Sequence, residues 1–246
     1  KSYIKDVAAR FYEDIHDDTE KCFLQCLAFI NTYDMLFQPV PSSVFDHMMT
    51  ALPAGHVPLD QLIRSPPFGL IVPPRNKFLP CKEEYTWNVT ASKALQTLLI
   101  KKSPEGQGYT TGGLSIISQA LARELLERIM AHSGQGLYDV TLEVLKVVKQ
   151  HVGERNLCSK SFVEIVNSLF KNRWWSEDGH RREFSELVLA LNEVSGDKKV
   201  IKLMKKCFQL TEDPMMAQQL ARFLYIKCRN WTEAETVIKQ AIEKKK

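Results

Sequence analysis

Nine of the eleven prolines lie between Pro39 and Pro80, and only Pro104 and Pro214 follow. A helix interior rarely tolerates proline, which lacks the backbone N–H and whose ring clashes with the preceding turn. The distribution therefore divides the chain into a helical start, a broken stretch and a long helical remainder. On this basis 1–38 is an N-terminal helical hairpin and 39–87 a proline-rich irregular segment packed on the helices. The remainder, 88–246, is a helical-repeat region that is most regular over 180–246.

The hairpin rests on periodicity. Tyr3, Ile4, Val7, Ala8, Phe11, Tyr12 and Ile15 recur at three- and four-residue spacing and give one apolar face. Asp17-Asp18-Thr19 interrupts the pattern and caps a second helix carrying Cys22, Phe23, Cys26, Leu27, Phe29, Ile30 and Tyr33. Within 39–87, short helices are expected after Ser42 and from Pro58 to Ile63, and Phe68–Val72 is an apolar run between proline pairs. The Phe, Leu, Ile and Trp content marks this stretch as a packed brace and not a flexible linker.

Beyond it, a helix is expected from Thr90 to about Lys101, then a Gly-rich loop over Ser103–Gly113. Further helices are expected to begin near Leu114, Leu137, Ser159, His180, Asp197, Pro214 and Trp231, separated by Gly-, Ser- and Asp-containing turns. The connections are short, so successive helices should run antiparallel. Residues 180–213 and 214–246 form two units of about 34 residues. A shift of 34 places Leu187 on Ala221, Leu189 on Phe223, Leu191 on Tyr225, Val200 on Ala234, Met204 on Ile238 and Cys207 on Ala241.

The last unit resembles a tetratricopeptide repeat. Tyr225, Ala234, Ile238 and Ala241 have the spacing of its large and small packing positions, Asn230 with Glu233 suits a capping box, and Asp213-Pro214 suits a helix start. Arg222 departs from the pattern, where that family has Gly or a small residue. Earlier pairs are longer and look HEAT-like. The stretch from Pro66-Pro67-Phe68-Gly69 to Tyr85-Thr86-Trp87 bears a general resemblance to the vertebrate germ-cell TOPAZ-type family, whose large proteins carry a conserved helical region of similar size. The expected fold is thus all-α: stacked antiparallel helix pairs, a TPR/HEAT-like α-solenoid with a proline-rich irregular insert.

Two basic features are candidate binding sites. Lys198, Lys199, Lys202, Lys205 and Lys206 fall within an arc of about 120° on one helix, with apolar residues on the other side. Such a stripe suits phosphates or an acidic peptide, although a solvated helix face is the commoner use of lysine. Arg173-Trp174-Trp175 with Arg181-Arg182 combines aromatic and cationic groups, which suits base stacking or a peptide anchor; packing of both tryptophans is the plainer alternative. A net charge of +4, from 33 Lys and Arg against 29 Asp and Glu, is too mild to indicate nucleic acid alone.

Other chemistries find little support. The loop Pro104–Gly113 lacks the Gly-Lys-Ser/Thr of a phosphate loop and follows a helical pattern where that motif needs a strand. Cys22, Cys26 and His16 supply only half of a zinc ligand set, so core thiols are preferred. Asp14, Asp17 and Asp18 read as helix-flanking acids. No nucleophile sits in a recognisable catalytic motif. No apolar run reaches the about 18 residues of a membrane span, and scattered cysteines suit a reducing, intracellular setting, cytoplasmic or nuclear. The expectation is a non-catalytic scaffold binding a protein partner within a larger intracellular protein, with no metal and no small-molecule cofactor. An RNA-binding helical-repeat module is the first alternative and a helical hydrolase the second.

Overall fold

The computed structural model describes residues 2–13, 18–34, 40–41, 100–102, 113–116, 118–155, 157–174 and 179–244. Nearly all of 39–87, the loop 103–112, His16, Asp14, Asp17 and Trp175 lie outside the described residues. The described chain is mostly helical and divides into two units, Lys1–His132 and Ser133–Lys246. The division falls inside the span 88–246.

The first unit contains α1 (Ser2–Glu13), α2 (Asp18–Tyr33), three short strands and α3 (Gln119–Ser133). The strands are β1 (Val40–Pro41), β2 (Ile100–Lys102) and β3 (Gly113–Ile116), antiparallel in the order β1-β3-β2. Val40 pairs with Leu114, and Ile100 with Ile116. This ribbon corrects two expectations. Ile100–Lys102 is a strand, not the end of a helix, and Leu114 belongs to β3, so the helix expected there begins at Gln119. Leu114 lies one heptad before Leu121, in phase with the buried stripe Leu121, Leu125 and Leu126, and periodicity alone extends the helix too far. Ladder pairing decides against it. A side chain completes the anchoring: Asn31 of α2, fully buried, accepts a hydrogen bond from the Ile116 N–H. Gln119 donates to the Thr32 carbonyl at 2.8 Å. The core gathers Leu24, Leu27, Phe29, Ile30, Val40 and Ile116. Burial pushes the Tyr33 phenol up to about 12.

The second unit is six helices: α4 (Leu137–His151), α5 (Leu157–Lys171), α6 (Glu186–Ser195), α7 (Asp197–Thr211), α8 (Pro214–Ile226) and α9 (Trp231–Glu243). The starts of α4, α7, α8 and α9 are those read from the sequence, and α5 begins two residues before Ser159. The helix expected from His180 begins instead at Glu186. Ser185 caps it, its hydroxyl accepting the Val188 N–H, while the preceding backbone bends at Glu183 and Phe184 and Arg182 N–H bonds to the Trp174 carbonyl at 2.7 Å. Between α6 and α7 the chain turns on the single residue Gly196 at φ 74°, a left-handed angle that strains residues bearing a side chain.

Each helix buries one apolar stripe. On α7 these are Val200, Leu203, Met204, Cys207 and Phe208; on α8, Met216, Ala217, Leu220, Phe223 and Leu224. Contacts extend beyond chain neighbours: α4 packs on α5, α6 and α7, and α5 also on α6, α7 and α8. Phe184 meets Phe223 edge-on at 5.1 Å.

A polar node joins three of these helices. Asp213 caps α8 through the Met215 N–H at 2.8 Å. The same carboxylate receives Asn167 Nδ2 and, at 2.8 Å, Lys171 Nζ, both from α5. Asn167 Oδ1 accepts the Cys207 thiol of α7 at 3.8 Å. Burial alone would raise the Asp213 carboxyl, but the bonds from Lys171, Met215 and Asn167 outweigh it and hold it below the usual carboxylate range. Burial likewise opposes the Lys171 charge, and the bonds to Asp213 and Glu164 overcome it and raise its pKa. The buried Cys207 thiol is pushed up to about 12, chiefly by burial.

Asp213→Ala removes a cap and strands two partly covered donors, so urea unfolding should show a loss of about 2–4 kcal/mol, with a smaller loss for Asp213→Asn. Unchanged stability would remove the node from the account. The pH dependence has a defined sign. The contribution of Asp213 is complete above its unfolded value of about 3.9 and is lost as pH falls through its lower folded value. That of Lys171 is complete below about 10.4 and is lost as pH rises through its higher folded value. Both losses should be blunted in the Asn variant.

Candidate functional site: an aromatic and cationic cleft on the second unit

The residues that carry the candidate site descend from α8 and α9. The buried stripe of α8 fixes the helix and leaves Gln218, Arg222 and Tyr225 on another face. The two helices meet along their length, and Tyr225, near the end of α8, contacts Trp231 at the start of α9 with ring centroids 4.1 Å apart and planes at 83°. This places the helices antiparallel around a four-residue turn. Asn230 caps α9, accepting the Glu233 N–H at 3.2 Å. Glu233 answers through the Asn230 side-chain amide, at 2.7 Å, in place of the backbone N–H of a standard capping box.

Two open cavities lie on this side. The first, about 460 Å³, is walled by Ala221, Arg222 and Tyr225 of α8, Trp231, Ala234 and Ile238 of α9, and Arg173. The second, about 530 Å³, is walled by Lys171, Arg173, Trp174, Arg181 and Met215. Arg173 and Gln219 line both, so the cavities are neighbours along one side of the unit and are together called the cleft. Its apolar residues reach solvent: Trp231 is 61% exposed, Met215 52%, Tyr225 45% and Ile238 37%. Its cations crowd one another. Burial, with the like charges of Arg222 and Arg181, depresses the Arg173 guanidinium. Among the described residues, two buried polar atoms on α8, Gln219 Oε1 and Arg222 Nε, have no hydrogen-bond partner, and Gln219 is only 3% exposed.

The two basic features read from the sequence separate here. Arg173, Trp174 and Arg181 come together in the cleft, joined by the backbone bond from Arg182 to Trp174. Arg182 turns away to pair with Glu186. Trp175 lies outside the described residues. The α7 lysines line neither cavity. Lys198, Lys199 and Lys202 are exposed, but Lys199 lies over the Tyr138 ring at 5.1 Å, and Lys205 is paired with Glu233 of α9. Sequence reasoning did not single out Gln219, Arg222 or Trp231 as a surface. Arg222 carried the one available signal, an arginine where the resembling repeat has a small residue.

A second polar cluster invites a catalytic reading and does not support it. Ser159 approaches His151 Nδ1 at 2.9 Å and donates to Glu154. A serine has one proton, so the His151 Nδ1–H must donate to the serine oxygen. A nucleophilic triad places serine and acid on opposite ring nitrogens. Here Glu154 lies 3.4 Å from the same Nδ1, and both Ser159 and His151 are 2% exposed. The cluster ties the start of α5 to the end of α4.

No described helix is long and apolar enough to cross a membrane. If the cleft residues are surface and not core, Trp231→Ala should cost less than about 1 kcal/mol in urea unfolding, against about 3–5 kcal/mol for Phe223→Ala. Equal losses would mean that Trp231 belongs to the core. No protein-family model matches the chain, and no curated protein and no solved structure matches it either.

Proposed function

We propose that the chain is a non-catalytic helical scaffold that docks a protein partner in the cleft over α8 and α9. The observation that carries this reading is the concentration of solvent-exposed Trp231, Tyr225 and Ile238 in a single cleft. Isolated exposed apolar residues are ordinary, but contiguous ones mark interaction surfaces, and tryptophan, tyrosine and arginine dominate binding energy where they do.

The stacked-pair reading gives these positions a reason. The starts of α7 and α9, Asp197 and Trp231, are 34 residues apart, the period of a tetratricopeptide repeat. Stacked pairs use the groove between their two helices to receive another helix. Tyr225 and Ile238 occupy such receiving positions. The thiols of Cys207 and Cys228, outside any disulfide, suit a reducing, intracellular compartment. The lysine stripe supports RNA less well, because Lys205 is committed to an ion pair and Lys199 to an aromatic ring.

Affinity purification with the full chain should retain a protein that is lost with Trp231→Ala or Ile238→Asp. Retention should persist with Lys198→Glu/Lys202→Glu and after ribonuclease treatment. Loss on lysine reversal or ribonuclease, with retention in the Trp231 variant, would replace this reading with the nucleic-acid one.

A further inference from the structure

The cleft pairs its apolar wall with a polar centre that lacks half of its partners. Gln219 and Arg222 lie three apart on α8 and so share a face. Gln219 is almost wholly buried, and among the described residues its Oε1 has no donor and the neighbouring Arg222 Nε no acceptor. Leaving such groups unpaired away from water is unfavourable. Arg173 stands beside Arg222 and Arg181, and no acid is paired with either Arg173 or Arg222 among the described ion pairs. Glu235, the one carboxylate lining this region among the described residues, is turned to Lys239 at 2.7 Å. A site that gathers guanidiniums while the described carboxylate beside them pairs elsewhere is complementary to an incoming anion.

The surrounding wall selects the kind of molecule that brings the anion. Ala221, Ala234 and Ile238 are aliphatic, and the Tyr225 and Trp231 rings are braced edge-on against each other. Such a wall matches the apolar stripe of a helix seated between two antiparallel helices. A nucleic-acid backbone needs cations spaced along its length, whereas these converge on one point.

We propose that the cleft receives an amphipathic helix whose apolar stripe covers Trp231, Tyr225 and Ile238 and whose Asp or Glu side chain pairs with Arg222 and Arg173. This names the class of partner for the docking surface proposed above and rests on that reading. The Arg222 guanidinium, which lines the cavity, donates to the carboxylate. Arginine suits this role because its fork meets a carboxylate with two parallel bonds.

The test is selection of a displayed helical-peptide library on the full 246-residue chain, with enriched peptides measured by fluorescence anisotropy. The expected peptides carry apolar residues at i, i+3 or i+4, and i+7 beside an Asp or Glu, and lose binding to Trp231→Ala. Replacing that acid by its amide should weaken binding at least about tenfold, Arg222→Gln should do the same, and the two changes together should cost little more than either. Restoration by Arg222→Glu with a lysine peptide would be the strongest support. Trp231-dependent binders that need no acid would overturn the carboxylate pairing and leave the docking surface standing. Recovery of no Trp231-dependent binder would overturn both. Trp231-dependent binding of a fluorescent oligouridylate in place of peptides would overturn the helix in favour of RNA.

Discussion

The second unit depends on the Asp213 carboxylate. One short side chain ends the turn after α7, caps α8 and collects an amide and an ammonium from α5. Without it, α8 would be held on α5 and α7 mainly by apolar contact, which is strong but not directional. Hydrogen bonds to a charged acceptor add direction, and three of them at one carboxylate set both the position and the rotation of the helix. The same bonds keep the carboxylate ionised against the burial that opposes it.

That rotation determines what the protein presents to solvent. With Met216, Leu220, Phe223 and Leu224 turned inward, Tyr225 and Arg222 must face the cleft shared with α9. Lys171, which ends α5 and binds Asp213, also brings the chain to Arg173 two residues later. The node thus places Arg173 beside Arg222, between the two cavities that it lines. Structural and functional groups are neighbours here, but their tasks differ. Asp213 has its bonds satisfied within the protein, whereas Gln219 Oε1 and Arg222 Nε do not.

Features governed by adjacent residues were legible in the sequence. Asp213-Pro214, Asn230 with Glu233 and Gly196 mark their helix boundaries because caps and turns are local chemistry. The inward stripe of α7 also follows from spacing alone. Features set by distant partners were not legible. β3 forms because Val40 and Ile100 pair with it across long stretches of chain, and its Leu114 stays in phase with the α3 stripe. Helix α6 starts at Glu186 because Ser185 caps it and Arg182 is tied to Trp174, which periodicity does not encode. The lysine stripe looked uniform until Glu233, from another helix, engaged Lys205. Of the candidate surfaces, Arg173, Trp174 and Arg181 line one cavity, while the apolar wall beside them comes from α8 and α9. Tyr225 and Ile238 had the spacing of packing residues, and spacing does not reveal whether a neighbour covers them.

The most direct test of the docking cleft is amide hydrogen exchange on the full chain, free and saturated with the protein it retains. Protection should be centred on Pro214–Ile226 and Trp231–Glu243, with a smaller effect around Arg173 and no change on the exposed face of Asp197–Thr211. Protection of the α7 lysine face with Pro214–Glu243 unchanged would contradict the account.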